Sequence, residues 1–292
     1  MQGWLVVNQF INSVKFQELF AMLEGAAASF DVELKRIGGA DAWRILAEEG
    51  YELKKKPDFV LFWDKDLRLA YELERQGLRL YNPAAAIEAC DDKTLTWLLC
   101  RHAGLPQPDS FISPKKFHDD GLSDPAFLAA AADRLGFPCV VKEAFGSFGQ
   151  QVSLVRDEDE LLSQIRQIGE RPYLIQRYVA SSEGRDLRLQ VVGERVIAAM
   201  LRENASDFRA NITNGGTASD YTDRLTPQQT ELAVRACRVL GLDFAGVDLL
   251  FGEKGEPVLC EVNSNAHFKN LYDCTGVDTA KEIMTYIMTS RN

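Results

Sequence analysis

Apolar and polar positions follow a repeating rhythm in the N-terminal part of the chain. Short apolar runs alternate with segments whose apolar residues recur at helical spacing. The runs lie at residues 4–7, 32–37 and 58–63, and the helical segments at residues 14–28, 41–49 and 66–76. The runs are typical of buried strands and the segments of amphipathic helices. Regular alternation of the two favours a parallel sheet, so the sequence predicts an α/β unit here.

A different pattern follows Asn82-Pro83, which interrupts the rhythm. Apolar spacing predicts a helix at about residues 91–102, ended by Gly104 and Pro106. Beyond it, the pattern predicts strands and helices in mixed order. The strands lie at residues 139–143, 151–155, 173–176, 186–192, 246–251 and 257–262, and the helices at residues 158–168, 227–240 and after Gly276.

The length and charge of the chain limit its architecture and its partners. Its 292 residues, 46% of them hydrophobic, can form two or three packed cores. We therefore predict domains at residues 1–88, 89–178 and 179–292, the first of α/β type and the others of α+β type. The 33 basic and 43 acidic residues give a net charge of −10, which disfavours nucleic acid as a partner.

The sequence indicates a cytoplasmic protein without a membrane partner. Its start lacks a basic segment before the short apolar run, and no apolar stretch approaches the length that spans a bilayer. The six cysteines form no CxxC pair and lie mostly among apolar residues. They are therefore expected to be reduced core thiols.

Two adjacent predicted strands near the C-terminus carry a candidate metal site. Glu261 and Asn263 are two residues apart on one strand and so point the same way, with Asp248 available on the partner strand. Magnesium prefers one or two carboxylates together with phosphate oxygens and water, so this group suits a metal bound with a nucleotide. The pattern by itself fits a solvated polar strand face equally well.

A second candidate site combines a lysine with a glycine-containing loop. Lys142 lies on a predicted strand that opens into Gly146, Ser147, Phe148 and Gly149. Glycines allow backbone N–H groups to approach phosphate oxygens, and the lysine adds a positive charge. A solvated lysine before an ordinary Gly-Ser turn is the alternative. The GxxxxGK[ST] phosphate loop is absent from the sequence, which argues against an ordinary P-loop NTPase.

Arg188 and Arg202 lie beside apolar strand residues and need anionic partners if they are buried. Phosphates or a substrate carboxylate could supply them. The alternative is a surface ion pair with Glu183, Asp186 or Glu203. For Lys93, the alternative is a solvated position at the start of its helix.

The order of these features resembles the ATP-grasp superfamily, and within it the RimK-like group of ribosomal-protein glutamate ligases and their relatives. Seven blocks between about residues 88 and 288 carry the resemblance, and together they are more specific than any one of them. The resemblance implies an ATP-grasp fold behind an N-terminal parallel-sheet domain. The blocks are Asp92-Lys93; Val141-Lys142 with Gly146-Ser147-Phe148-Gly149; Gly184-Arg185-Asp186-Leu187-Arg188 with Val191-Val192-Gly193; Ala199-Met200-Leu201-Arg202; Phe208-Arg209-Ala210-Asn211 with Gly215-Gly216; Gly246-Val247-Asp248; and Glu261-Val262-Asn263.

The resemblance also implies roles for the matching residues. For ATP, it implies that Lys93 and Lys142 contact the phosphates and that the loop of Gly146, Ser147, Phe148 and Gly149 covers them. It implies that the adenine is held by a hinge, Gln176, Arg177, Tyr178 and Val179. It implies that the nucleotide site is also lined by Glu183, Asp186 and Arg188. The residues for Mg²⁺, or Mn²⁺ in its place, are Asp248, Glu261 and Asn263. Those near the reacting groups are Arg188, Arg202, Arg209 and Asn211.

Two positions depart from the family pattern. Arg177 stands in the hinge where an acidic residue is common, and residues 264–270 differ from the Ser-Pro-Gly continuation of the glutamate ligases. Because that segment borders the substrate site in the family, the resemblance leaves the donor and the acceptor unnamed.

The implied reaction is phosphoryl transfer from ATP to a carboxylate, followed by attack of an amine on the acyl-phosphate. Such catalysis relies on positioning and charge neutralisation, which suits a site rich in Lys, Arg and metal ligands. The loop at residues 146–149 is a candidate lid that excludes water. The implied partners are a carboxylate and an amino acid, a peptide or protein tail being one form of substrate, and relatives are commonly homo-oligomers.

Two other functions fit the same residues. One is an ATP-grasp kinase that phosphorylates a hydroxyl group. The other is a regulatory or scaffold protein that binds ATP without turnover. The first would release a stable phosphorylated product, and the second would form no ADP.

Overall fold

Four parallel strands form the N-terminal sheet of the computed structural model, which describes residues 1–117, 124–146, 149–212 and 215–290. The strand order is β2-β1-β3-β4, and all three pairings are parallel. The predicted α/β rhythm is therefore confirmed. The strands are β1 (Gln2–Val7), β2 (Glu33–Gly38), β3 (Phe59–Trp63) and β4 (Leu80–Tyr81), and the helices that join them are α1 (Val14–Ala28), α2 (Gly39–Glu48) and α3 (Leu67–Arg75).

Two short helices connect this sheet to the rest of the chain, where the sequence predicted one. They are α4 (Ala84–Asp91) and α5 (Lys93–His102). The break lies at Asp92, whose carboxylate accepts hydrogen bonds from the backbone N–H groups of Thr94 and Leu95 and so caps α5. Pro83 interrupts the strand pattern but also suits a helix start, which is why α4 was missed.

The second sheet is antiparallel and has the order β5-β8-β6-β7. Its apolar core contains Val141, Ile165 and Ile175. Strand β6 and helix α7 have the predicted bounds, whereas β5 and α6 were not predicted. The strands are β5 (Ser110–Ile112), β6 (Cys139–Glu143), β7 (Val152–Val155) and β8 (Tyr173–Arg177), and the helices are α6 (Pro125–Leu135) and α7 (Glu158–Ile168).

The third sheet is also antiparallel, with the order β11-β10-β9-β12-β13. The apolar side of β9, Leu187, Leu189 and Val191, packs into a core with helix α8. The opposite side of β9 is polar, as predicted. The strands are β9 (Arg185–Val192), β10 (Arg195–Glu203), β11 (Thr217–Asp220), β12 (Phe244–Phe251) and β13 (Pro257–Asn263), and the helices are α8 (Pro227–Leu240), α9 (Lys269–Thr275) and α10 (Thr279–Thr289).

The C-terminal helix α10 returns to the N-terminal sheet. Its residues Ile283, Met284 and Ile287 share a core with Leu19 and Leu23 of α1. Each sheet lies within one of the predicted domains, but α4 crosses the first boundary and α10 packs outside its own segment. The domain boundaries therefore stay predictions.

The cysteines and the helices bear on two further expectations. All six cysteines are free, and Cys90, Cys100, Cys139 and Cys237 are buried. The predicted core position is therefore confirmed for these four, while Cys260 and Cys274 are partly exposed. Within the described part of the chain, no helix has the length and apolar character needed to cross a membrane.

Candidate active site

A cleft of about 240 Å³ opens between the second and third sheets and the first turn of α1. Most of the residues that the sequence singled out line it. Glu183 does not belong to the lining and is exposed, and Ser147 and Phe148 lie outside the described residues. The lining includes Lys93, Lys142, Gly146, Gly149, Gln176, Arg177, Tyr178, Val179, Asp186, Arg188, Arg202, Arg209, Asn211, Asp248, Glu261 and Asn263.

Two arginines and two aspartates form a buried network on the polar side of the third sheet. Strand register places Arg202 opposite Asp186, and Arg188 opposite Asp248. Arg202 donates to both oxygens of Asp186, at 2.6 and 2.7 Å, and its Nη2 lies 3.1 Å from Asp248 Oδ1. Arg188 donates to both oxygens of Asp248, with 2.7 Å between Nη2 and Oδ2.

The burial of this network rules out the alternative of a surface ion pair. Arg202 is 5% exposed, Asp186 8% and Asp248 3%. Burial alone would raise the pKa of Asp248, but the guanidinium groups of Arg188 and Arg202 outweigh it and hold the pKa below its ordinary value. Asp248 therefore stays ionised at the floor of the cleft.

The two predicted phosphate lysines have different surroundings. Lys93 Nζ donates to the carbonyl oxygen of Gly146 (2.9 Å) and lies 3.6 Å from Glu261 Oε1. Lys142 Nζ lies 3.8 Å from Cys260 Sγ. Among the described residues, no carboxylate comes within ion-pair distance of Lys142. A half-buried ammonium group without an anion suits an anionic ligand.

Arg209 joins the glycine-containing loop to the segment that follows β10. Its Nη1 donates to the carbonyl oxygen of Gly149 (2.6 Å), while Nη2 pairs with Asp207 at 2.7 Å. Gly149 has φ of +71°, and a Cβ added there would lie 3.3 Å from Asn211 Oδ1. These contacts bring two cleft-lining loops together on one side of the site.

The strand β8 leads into the predicted adenine hinge. Gln176 is buried, and its Nε2 donates to Ser110 Oγ at 2.9 Å. The Arg177 side chain points towards α6, where Nη2 donates to the carbonyl oxygen of Arg134 (2.6 Å). Arg177, which departs from the family pattern, thus lines the cleft while its guanidinium group is bound to α6.

The predicted metal ligands lie together at one end of the network. Asp248 and Glu261 are directly opposite each other on β12 and β13, and Asn263 follows on the same side of β13. Asn263 Nδ2 is buried without a hydrogen-bond partner in the described structure. Two carboxylates and an amide oxygen fit the oxygen ligands that Mg²⁺ prefers, and Mn²⁺ accepts the same set.

The remaining metal ligands must come from elsewhere. Within the described residues, no three His, Cys, Asp or Glu side chains are grouped to hold a metal ion by themselves. Nucleotide-bound Mg²⁺ usually completes its shell with phosphate oxygens and water. The position of Lys93 beside Glu261, with Lys142 in the wall of the same cleft, is consistent with phosphates at that place.

The sequence also matches the model of a known protein family. Residues 91–287 match the family model described as a RimK-like ATP-grasp domain. The chain belongs to the RimK-like ATP-grasp family. The resemblance inferred from the seven sequence blocks is therefore confirmed, and so is the predicted fold.

Three known proteins illustrate the relationship. Beta-citrylglutamate synthase B of Danio rerio is 36% identical over 77% of this chain and 54% of its own length. N-acetylaspartylglutamate synthase A of Homo sapiens is 35% identical over 77% of this chain and 56% of its own length. D-alanine–D-alanine ligase from Bacillus anthracis, solved in complex with ATP, has a TM-score of 0.74 and 20% identity and covers 100% of this chain and 97% of that one.

These matches carry different weight. At 20% identity, the solved ligase shows the fold alone. The chain spans about half the length of the two synthases, so their substrates cannot be transferred directly. At the level of the family, the predicted class is confirmed as an ATP-grasp enzyme that joins a carboxylate to an amine.

In this RimK-like ATP-grasp chain, sequence reasoning missed one end of the cleft. Residues from α1 and from the segment after β13 line that end. They could have been found from the fold rule that ligands bind beyond the carboxyl ends of parallel strands, because several of these residues follow β1 and β3. The missed residues are Lys15, Phe16 and Lys65. Asn265, His267 and Asn270 belong to the segment at residues 264–270, which the resemblance placed beside the substrate site without giving its residues roles.

His267 is held neutral at this end of the RimK-like cleft. Burial lowers its pKa to about 4, and the positive charges of Lys15, Lys269 and Arg188 act in the same direction. Its Nε2 is 3.0 Å from the carbonyl oxygen of Lys15. A carbonyl oxygen only accepts hydrogen bonds, so Nε2 carries the proton.

The buried imidazole predicts a pH dependence of stability. Between pH 6.5 and about pH 4, the unfolded chain binds a proton at His267 that the folded chain does not, so stability falls as the pH falls through this window. We expect the free energy of unfolding of His267→Gln, relative to that of wild type, to rise by about 1–2 kcal/mol between pH 7 and pH 5. Urea unfolding at both pH values measures it.

The control for this experiment is His102→Gln, which changes an exposed histidine on α5. It should keep the pH dependence of the wild type. Equal slopes for His267→Gln and wild type would contradict a buried neutral imidazole.

Proposed function

We propose that this chain uses magnesium-ATP to activate a carboxylate as an acyl-phosphate and joins it to the amine of an amino acid. Glutamate is the first candidate for that amino acid, because the names of both synthases given above contain it. The observation that carries the proposal is the buried network of two arginines and two aspartates beside two lysines and Glu261. Such a site stabilises transferred phosphate by charge and needs no enzyme nucleophile.

The lysines and the acidic side chains bind different parts of magnesium-ATP. Lys142 and Lys93 bind phosphate oxygens at the mouth of the loop at residues 146–149. Asp248, Glu261 and Asn263 would hold the metal ion, which would supply positive charge that neutralises and orients the phosphates. The backbone of residues 176–179 borders the adenine.

Metal binding by Asp248 competes with Arg188 for the same two oxygens. Arg202 keeps its pair of hydrogen bonds to Asp186 and stays in the floor of the cleft. With a metal ion on Asp248, Arg188 would be the cation available to contact the transferred phosphate or the activated carboxylate.

The proposed reaction proceeds in two steps. A carboxylate oxygen attacks the γ-phosphorus of ATP, the bond to the β-phosphate oxygen breaks, and ADP departs with that electron pair. The amine then attacks the carbonyl carbon, a C–N bond forms, and the C–O bond to phosphate breaks. Inorganic phosphate departs with the bonding electrons, and the surplus proton of the amine passes to phosphate or water.

The direct test measures ADP and phosphate release with magnesium-ATP against a panel of carboxylates paired with amino acids. We expect one pair to stimulate release and to give a condensed product by mass spectrometry. A stable phosphorylated product without an amide would select the kinase. Tight ATP binding with no ADP from any pair would select the regulatory protein.

We also propose that the chain at Gly149, whose carbonyl oxygen accepts a hydrogen bond from Arg209, closes over the acyl-phosphate and excludes water. Gly149→Ala puts a Cβ at a positive φ and close to Asn211, a strain of about 1 kcal/mol that disfavours the closed loop about fivefold. We expect more ADP to be formed for each amide. The ratio of ADP to condensed product measures this uncoupling.

Gly50→Ala provides the matched control. Gly50 has φ of +68° and lies in the N-terminal domain, where a Cβ would meet nothing within 4 Å. It carries the same backbone strain away from the cleft, so its ratio should equal that of wild type. If the ratio of ADP to condensed product were unchanged in Gly149→Ala as well, the proposal of a lid would be rejected.

A further inference from the structure

The exposed and buried alternation of β13 continues past the end of the strand. Ser264, Ala266 and Phe268 are buried, while Asn265 and His267 are partly exposed. All of these except Phe268 contribute to the cleft lining. The chain turns at residues 264–265, and the side chains of Asn265 and His267 line the same cleft as Glu261 and Asn263; these four residues are called the row below. The row runs from the predicted metal ligands towards the N-terminal domain.

Two hydrogen-bond acceptors in this row have no donor. Asn265 Nδ2 donates to the carbonyl oxygen of Asp64 (2.8 Å), which fixes the amide, and its Oδ1 is buried without a partner. His267 Nε2 donates to the carbonyl oxygen of Lys15, so the other ring nitrogen, Nδ1, is an acceptor, and it too has no partner in the described structure. Buried acceptors without donors are costly and are usually satisfied by a ligand or water.

Lys15 supplies a positive charge at the end of the row. Its side chain is half-buried and lines the cleft. Nearby Lys65 and Lys269 pair with Asp91 and Asp273, but no carboxylate among the described residues lies within ion-pair distance of Lys15. Burial lowers the pKa of Lys15, and the charge of Arg188 lowers it further, so an anion brought here by a ligand would be strongly favoured.

We propose that these groups form the subsite for the amino acid whose amine is joined. Asn265 Oδ1 and His267 Nδ1 accept hydrogen bonds from the amine, and Lys15 binds a carboxylate of the same molecule. That this amine is joined to a carboxylate rests on the proposed function, whereas the binding of the amino acid to the subsite does not. The N-terminal domain thereby selects the amino acid through Lys15.

The charges around this subsite also favour its chemistry. An amine attacks only in its neutral form, and neighbouring positive charges lower the pKa of an ammonium group. Lys15 and Arg188 supply such charges, and neutral His267 adds none of its own. The subsite therefore accepts hydrogen bonds from the amine. Its described residues include no acidic group that would keep the amine protonated.

Steady-state kinetics of Lys15→Met test the assignment, with L-glutamate as the first amino acid. We expect the KM for the amino acid to rise about tenfold to hundredfold, as for loss of a charged hydrogen bond, with the KM for ATP changed less than about twofold. Lys15→Arg keeps the charge and should restore most of the affinity. Lys35→Met, an exposed lysine on β2, is the matched control and should behave as wild type.

Substrate analogues identify which carboxylate Lys15 binds. L-isoglutamine lacks the α-carboxylate and L-glutamine lacks the side-chain carboxylate of glutamate. The analogue that lacks the carboxylate bound by Lys15 should bind wild type about as weakly as glutamate binds Lys15→Met. A rise in the KM for the carboxylate donor alone, tested with N-acetyl-L-aspartate against N-acetyl-L-alanine, would overturn the assignment to the amino acid.

Calorimetry separates this inference from the proposed function. L-glutamate and the other amino acids are titrated into wild type and Lys15→Met in the presence of magnesium and ADP. Binding lost in Lys15→Met, with no turnover for any donor, would support the subsite and reject the ligase. Turnover that is equal in wild type and Lys15→Met, or no amino acid bound by wild type, would overturn the subsite.

Discussion

In the Asp248→Asn variant, ATP turnover falls by about a thousandfold and the free energy of unfolding by about 3 kcal/mol. The carboxylate of Asp248 has two functions in the proposed site. It binds the metal, and it neutralises Arg188 and Arg202, to which it is held by hydrogen bonds and ion pairs. Removing its charge leaves the buried guanidinium group of Arg202 and the partly buried one of Arg188 with Asp186 as their one remaining partner in the network.

Two measurements on this variant, ADP release and urea unfolding, are needed because a destabilised enzyme also loses activity. Asp243→Asn is the matched control. Asp243 is 5% exposed, pairs with Arg79 at 2.6 Å, accepts from Tyr286 Oη at 2.9 Å and lies outside the cleft. It should lose stability but keep turnover per folded molecule within about twofold of wild type.

The comparison separates chemistry from folding. If Asp248→Asn kept more than about a tenth of wild-type turnover, a loss smaller than one catalytic electrostatic contact normally causes, Asp248 would be a structural residue only. The same would follow if its loss of activity matched that of Asp243→Asn.

The second large effect is expected from Lys142→Met, which should lower kcat/KM for ATP by about a hundredfold. Lys142 is half-buried in the cleft wall and has no carboxylate partner among the described residues, so its charge is available to phosphate. Methionine keeps the length and apolar stem of the side chain and removes the charge. Stability should change little or rise, because an unpaired buried charge is lost.

The control is Lys56→Met, which removes a lysine whose Nζ donates to the carbonyl oxygen of Gln76 at 2.6 Å, in the N-terminal domain. Initial rates of ADP release at several ATP concentrations give kcat/KM for both variants. A value for Lys142→Met within about threefold of wild type, less than one charged contact is worth, would show that Lys142 does not contact the phosphates.

Local periodicity was enough to predict most of the regular elements. Helices α1, α7 and α8 and strand β6 have the bounds that the sequence predicts. Their apolar spacing and their ends agree, as in α8, where Thr226 and Gln229 form a capping box and Gly241 ends the helix. Among the elements that were missed, β5, β11 and α9 have seven residues or fewer, too few for a period to show. Helix α6 has 11 residues, but its run of four alanines obscures the apolar spacing.

The candidate site was predictable as a set of residues and not as a set of contacts. The order of Lys, Gly and acidic blocks identified the family, because ligands of phosphate and metal must be of few chemical types. The sequence did not show that Arg188 and Arg202 are bound by Asp248, since those partners meet only when β9, β10 and β12 pair. The sequence also suggested an ordinary surface pairing for them.

The amino-acid sequence by itself determined the alternation of strands and helices and the family, and it proposed the candidate residues for binding phosphate and metal, because these depend on local spacing and side-chain chemistry. The tertiary structure alone decided which charges are neutralised and which are free. Lys15 and His267 are 252 residues apart, and Arg188 and Asp248 are 60 apart. Contacts at such separations depend on how whole sheets and helices pack, which no local pattern contains.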